Sequence, residues 1–214
     1  MWSTLEAILD AILPLRARSA RTKARAVEDM PLSPTVHELL GVQITTLMEY
    51  QNLAVQDLIR ALKYDASAHA AHLAAAVLAD YLREEIASAK AFSTRKILIV
   101  PVPLHKKRVR ERGYNQIELV TRALPREFRD GTIAMLAPHA LARTRETKPQ
   151  TRLPRSERLS NIAGAFAVQN AELVKKSRVF LIDDVTTTGA TLANAATPLR
   201  RAGAEVTLLA LARA

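Results

Sequence analysis

The apolar positions along this chain change period several times, and each change marks an element. Leu5, Ile8, Leu9, Ile12 and Leu13 share one side of a helix, so residues 3–13 read as a short amphipathic helix, with Ser3 as its cap and Pro14 as its stop. Residues 15–34 lose the large apolar groups, gather Arg and Lys and end on Pro31 and Pro34, the pattern of an exposed basic linker or arm. Helical spacing then predicts helices over roughly 35–49 and 53–63. The second turns Val55, Leu58, Ile59 and Leu62 to the core. A long Ala-rich helix follows from Ala66 to Ile86, burying Leu73, Val77, Tyr81 and Leu82.

The pattern shortens after residue 95. Ile97 to Val102 and Val179 to Ile182 are apolar at every position, as strands buried on both faces of a parallel sheet are. Glu205 to Leu211 is a final strand after the helix-ending Gly203. Between them lie a helix at Asn115 to Leu124, a strand at Ala134–Leu136 or His139–Ala142, a return to structure over Asn161–Val168, and a helix opened by Ala190 that buries Leu192, Ala195, Ala196 and Leu199. Strands alternating with helices predict an α/β fold: a parallel sheet flanked by helices, with an N-terminal helical segment. Residues 1–34 form the amphipathic helix and basic linker, and residues 35–214 form one domain that includes N-terminal helices over 35–90.

Composition narrows this picture. The 214 residues hold no cysteine, which excludes disulfides and thiolate zinc sites. No apolar run of about 18 residues predicts a membrane span, and no secretory start is present, so the cytoplasm is the expected compartment. The net charge of +10 is unevenly placed. Residues 1–95 carry 10 basic against 11 acidic side chains, and the rest carry 21 against 10. A basic half attracts polyanions such as phosphorylated sugars or nucleic acid. His69 and His72 sit three apart like a metal pair, but no third ligand accompanies them.

The chemistry concentrates where the Val179–Ile182 strand ends, in Asp183-Asp184-Val185-Thr186-Thr187-Thr188-Gly189-Ala190-Thr191. Strand, loop and helix in that order place these residues at the carboxyl edge of a sheet, where open α/β folds bind ligands. Backbone N–H groups from Thr187 to Thr191 suit an anion at a helix N-terminus, and the Thr hydroxyls add donors. The two carboxylates accept hydrogen bonds from a vicinal diol and favour a divalent cation. Anion donors beside diol acceptors describe a site for a ribose 5-phosphate. A second charged stretch, Leu104 to Gln116, follows the Ile97–Val102 strand, where its Arg and Lys could neutralise a pyrophosphate. Arg143 to Arg158 is long, basic and Pro-interrupted, which suggests a functional or disordered loop.

The acidic pair and its loop, Thr186, Thr187, Thr188, Gly189, Ala190 and Thr191, resemble the phosphoribosyl pyrophosphate (PRPP) signature of type I phosphoribosyltransferases. Other segments resemble the ComF family, known from DNA uptake in natural competence: Tyr50, Leu58, Ile59 and Leu62-Lys63-Tyr64; Pro101-Val102-Pro103 with His105, Arg108 and Arg112-Gly113-Tyr114-Asn115-Gln116; and Arg143, Thr147, Gln150, Leu153, Arg158, Asn161 and Phe166. The resemblance implies that Asp183 and Asp184 hold the ribose hydroxyls and the loop holds the 5′-phosphate. It also implies a Mg²⁺ brought in by PRPP and held indirectly by Asp183 and Asp184. Arg108 and Arg112 are then the expected pyrophosphate contacts, and Arg143, Gln150 and Arg158 belong to a mobile hood. The implied activity is a phosphoribosyltransferase that releases pyrophosphate, with a nucleobase as a possible acceptor and no assigned catalytic residue. The rival is a PRPP-sensing or single-stranded-DNA-binding adaptor without turnover, working with competence proteins. Two features depart from relatives: the four-cysteine zinc module is absent, and Thr187 stands where purine-salvage enzymes place an aspartate base.

Overall fold

The computed structural model describes residues 21–145 and 164–214. In chain order the elements are β1 (Thr35–Leu39), β2 (Val42–Glu49), α1 (Leu53–Tyr64), α2 (Ala68–Phe92), β3 (Ile97–Pro101), α3 (Lys106–Arg112), α4 (Gln116–Arg122), β4 (Met135–Leu136), β5 (Leu141–Arg143), β6 (Phe166–Val168), α5 (Ala171–Val174), β7 (Arg178–Thr186), α6 (Ala190–Arg201) and β8 (Glu205–Arg213). Six strands form one sheet in the order β1-β2-β8-β7-β3-β4. Only β1 and β2 run antiparallel to each other, and β5 and β6 pair in a separate antiparallel ribbon. The expected class, a mostly parallel sheet flanked by helices, is the class observed.

β7 lies between β8 and β3, which explains its unbroken apolar run. Phe180 and Ile182 face a core built with α1, α2 and α4, including Leu58, Leu62, Leu78 and Leu82. Val179 and Leu181 face the opposite core with Leu192, Ala196 and Leu199 of α6. The stripes expected on α1 and α2 are buried, except that Tyr81 is only partly covered. Side chains cap these helices: Asn52 accepts from the Ala54 N–H, Ser67 from Ala70 and Asn115 from Ile117.

Residues 35–49 are not helical. They form the β1–β2 hairpin, closed by Leu40 and Gly41, both at positive φ (55° and 71°). The β-branched content of Thr35-Val36 and Val42-Gln43-Ile44-Thr45-Thr46, with Gly41 between them, is the signal that favours strands over a helix. The basic segment before it is mostly exposed where it is described, but it is tethered to the domain. Arg21 pairs with Asp57 on α1 through Nε and Nη2, each at 2.9 Å, Arg25 joins at 3.6 Å, and Met30 is buried. Both alternative strands near 134–142 exist, as β4 and β5. The expected 3–13 helix and most of the hood, Gln150 and Arg158 included, lie outside the described residues. No helix among the described residues is long and apolar enough to cross a membrane.

Candidate functional site

The site begins with the last turn of the pleat in β7. Asp183 and Asp184 leave the strand on opposite faces, and each folds back on the backbone. Asp183 Oδ1 accepts the Asp184 N–H at 2.9 Å, and Asp184 Oδ1 accepts the Val185 N–H at 2.7 Å. Asp184 is 6% exposed, and Asp183 is half-buried. On its inner side Asp184 Oδ2 accepts from Gln116 Nε2 at 2.8 Å and faces Lys63 Nζ at 3.4 Å. Gln116 in turn accepts from Arg112 Nη1 at 2.8 Å. A cation at the end of α1 and another at the end of α3 thus converge on one carboxylate.

The two acids diverge in charge. Burial pushes the Asp183 carboxyl up, and the neighbouring Asp184 charge adds to this, to about 7. Burial would also raise Asp184, but Lys63, the Gln116 amide and the Val185 N–H together hold it below the ordinary carboxylate range. Burial pulls Lys63 down, yet Asp184, Tyr50, Tyr64 and Asp183 together outweigh this and hold it charged above its usual value. The pair therefore carries one firm negative charge and one that a nearby cation would complete.

The loop after the acids is fixed by packing. Thr186 is buried, and its carbonyl accepts the Ala214 N–H at 3.0 Å. Thr188 Oγ1 stands 3.4 Å from the Ala190 N–H. Gly189 caps α6 at φ +78°, and a Cβ there would stand 2.7 Å from Ile44 Cδ1 and 2.9 Å from Leu39 Cβ. The β1–β2 hairpin thus presses on the loop so closely that only glycine fits. Thr187 is exposed, and Thr188 and Thr191 are partly so.

Of the expected site residues, Arg108 and Arg112 line a cleft of about 470 Å³ with Lys63, Tyr64, Glu111 and Tyr114. Arg143 sits on β5, its guanidinium 5.4 Å from the Phe166 ring centroid. Burial lowers its pKa, Arg108 lowers it further, and Asp183 opposes both. Arg143, Arg108 and Asp183 therefore share one neighbourhood. Sequence reasoning assigned no role to Lys63 or Gln116, although both stand inside the segments that carried the resemblance. His69 Nε2 contacts the Arg25 carbonyl at 3.1 Å, and His72 Nδ1 contacts the Ala68 carbonyl at 2.8 Å. Among the described residues no cluster of three His, Cys, Asp or Glu could hold a metal ion.

A central parallel strand that ends in paired acids and runs through a glycine-locked loop into a helix defines an α/β domain with its candidate ligand site at the carboxyl edge of a mostly parallel sheet. Comparison with known proteins narrows the class. The chain is 31% identical to competence protein ComFC of Streptococcus pneumoniae over 168 residues, 78% of this chain and 66% of that protein. It is 37% identical to competence protein F of Haemophilus influenzae over 54% of this chain and 50% of the relative. The DNA utilization protein YhgH of Escherichia coli is 36% identical over 50% of the chain and 44% of its own length. The chain belongs to the ComF family. The matches span half to two thirds of these relatives or less. No family model matches. Solved structures of adenine phosphoribosyltransferase from Saccharomyces cerevisiae (12% identity, 94% of this chain, 90% of that one) and UMP synthase from Leishmania donovani (17%, 92% and 36%) align at a TM-score of 0.34.

Proposed function

We propose that the chain binds PRPP at the carboxyl edge of its sheet and transfers the phosphoribosyl group to an acceptor with release of pyrophosphate. The observation that supports this best is the continuity of the site: the acids that would hold the ribose 2′- and 3′-hydroxyls pass directly into the loop that would hold the 5′-phosphate. Asp183 and Asp184 accept the diol, and the Thr187–Thr191 amides and hydroxyls donate to the phosphate. Lys63, Arg108 and Arg112 line the cleft where the pyrophosphate would lie, and they stabilise charge as the C1–O bond breaks.

The donor set suits a Mg²⁺ that arrives with its substrate. Magnesium is bound by one or two carboxylates plus substrate phosphates rather than by an all-protein cage. Asp183, with its raised pKa, is the carboxylate that a cation would keep ionised. Bound there, the ion would offset the negative charge of the pyrophosphate.

Titration calorimetry with PRPP and Mg²⁺ tests the reading on the wild type and on Asp183→Ala/Asp184→Ala. Binding by the wild type that is lost in the double variant supports it, and absence of wild-type binding removes it. A second reading, handling of single-stranded DNA, draws on the same cleft, where Tyr64 and Tyr114 stand among Lys63, Arg108 and Arg112. It accords with the competence and DNA-utilization names of the relatives. Its signature is an affinity for oligonucleotide that falls steeply with salt.

A further inference from the structure

We propose that a second hollow, on the opposite face of α3 from the cationic cleft, receives the acceptor, and that this acceptor is a flat nitrogen ring bearing a carboxylate. This rests on the PRPP reading above. The two hollows divide α3 by helical period: Lys106, Val109 and Gly113 line one, and Arg108, Glu111 and Arg112 line the other. The second hollow holds about 420 Å³, within the range of roughly 300–1,000 Å³ used for small molecules.

Its position follows from the sheet. Pro101 of β3 pairs with Ile182, the residue before Asp183, and the hollow starts at Pro103, two residues further on. Asn115 fixes that turn by donating to the Val102 carbonyl at 3.0 Å. Arg143 lines the hollow and lies within electrostatic reach of Asp183, which sets the hollow on the side of the ribose acids. A ring lying there would meet the sugar from the side of β3, away from the phosphate loop.

The lining selects the ligand. Leu104, Val109, Leu119 and Leu141 give apolar walls, as a planar ring requires. The charged lining is Lys106, Arg122, Arg143 and one carboxylate, Glu118. Arg122 already holds Glu118 through two bonds of 3.0 and 2.6 Å. The remaining balance is cationic, and it favours a carboxylate on the ring. In the transfer, the C1–O bond breaks with its electron pair leaving on pyrophosphate, and the ring nitrogen's lone pair forms the C1–N bond. A proton on that nitrogen, where it has one, leaves to solvent at the open rim beside the exposed His139.

The test is calorimetric titration of the full chain with nicotinate, quinolinate, nicotinamide and adenine, with and without PRPP and Mg²⁺. The two acids should bind at least tenfold more tightly than nicotinamide or adenine. Val109 is 37% exposed, so Val109→Trp fills the hollow without opening the core. It should abolish acid binding while leaving PRPP binding intact, and Lys106→Gln should erase the preference for acid over amide. Equal or tighter binding of nicotinamide or adenine, no binding of either acid, or acid binding unaffected by Val109→Trp would overturn the proposal. Acid binding to a protein that does not bind PRPP would remove the transferase reading and leave the hollow standing.

Discussion

The two flanks of the acidic pair are built in opposite ways. The flank toward α6 is backbone: a loop held by the β7–β8 ladder, closed at Gly189 and pressed by Ile44 and Leu39. The flank toward α1 and α3 is side chain: Lys63 reaches inward from the end of α1, and Arg112 and Gln116 reach inward from the α3–α4 corner far along the chain. A backbone cradle is rigid before any ligand arrives and suits the part of a substrate that never changes, a sugar phosphate. Long cationic side chains can follow a group that departs. The contrast teaches that binding should depend steeply on packing on one side and gradually on charge on the other.

The sharpest way to break this contrast is Gly189→Ala. The added methyl meets backbone strain and two packed side chains, so stability should fall by about 2–3 kcal/mol, and PRPP affinity in calorimetry should fall by about a hundredfold or more. If affinity survives, the loop is not a rigid cradle. Lys63→Met removes the principal partner of a buried carboxylate. Lys63 keeps 26% exposure, so the expected loss at pH 7 is moderated to about 1–2 kcal/mol in urea denaturation, with PRPP binding weakened roughly thirtyfold.

Acid pH should act through Asp183. A carboxyl titrating near 7 is about nine-tenths protonated at pH 6. Affinity for PRPP with Mg²⁺ should therefore fall about tenfold from pH 8 to pH 6, with proton release on binding, and Asp183→Asn should flatten the profile. The sign for the ligand-free protein is opposite. Its folded-state pKa is raised, so the contribution of Asp183 to stability is full below the ordinary carboxylate range and is lost as pH rises through about 7. Melting of Asp183→Asn against wild type at pH 8 should show the variant to be more stable. The smallest effect belongs to Arg21→Ala. It breaks the bond to Asp57 far from the acids, and should cost about 1 kcal/mol while leaving PRPP affinity unchanged.

The same contrast decided what could be read from the sequence. β7, the loop and the start of α6 are consecutive, and each announces itself locally through an apolar run, paired acids, a glycine and a helical stripe. Lys63 has no such announcement. Its meaning arises only when α1 packs so that its last turn meets β7, and nothing within a few residues of position 63 encodes that. Residues 35–49 show a different failure. Apolar groups at Val36, Leu39, Leu40, Ile44, Leu47 and Met48 satisfy a helical spacing loosely, while the β-branched content and Gly41 decide for a hairpin. Asp57 explains why Arg21 and Arg25 are held against the domain: a buried carboxylate on α1 needs partners, and these two supply them.

The hairpin also carries a built-in reporter. On β1, His37 stands two residues before Leu39. Its Nδ1 accepts from Arg213 Nη1 at 2.7 Å, so its Nε2 bears the proton and donates to Thr46 Oγ1 at 2.9 Å. Burial and the adjacent Arg213 lower its pKa, which keeps the ring neutral. Arg213 itself pairs with Thr186 at the root of the loop. The neutral imidazole is therefore held in one tautomer. Its nitrogen resonances become a spectroscopic gauge placed beside the loop.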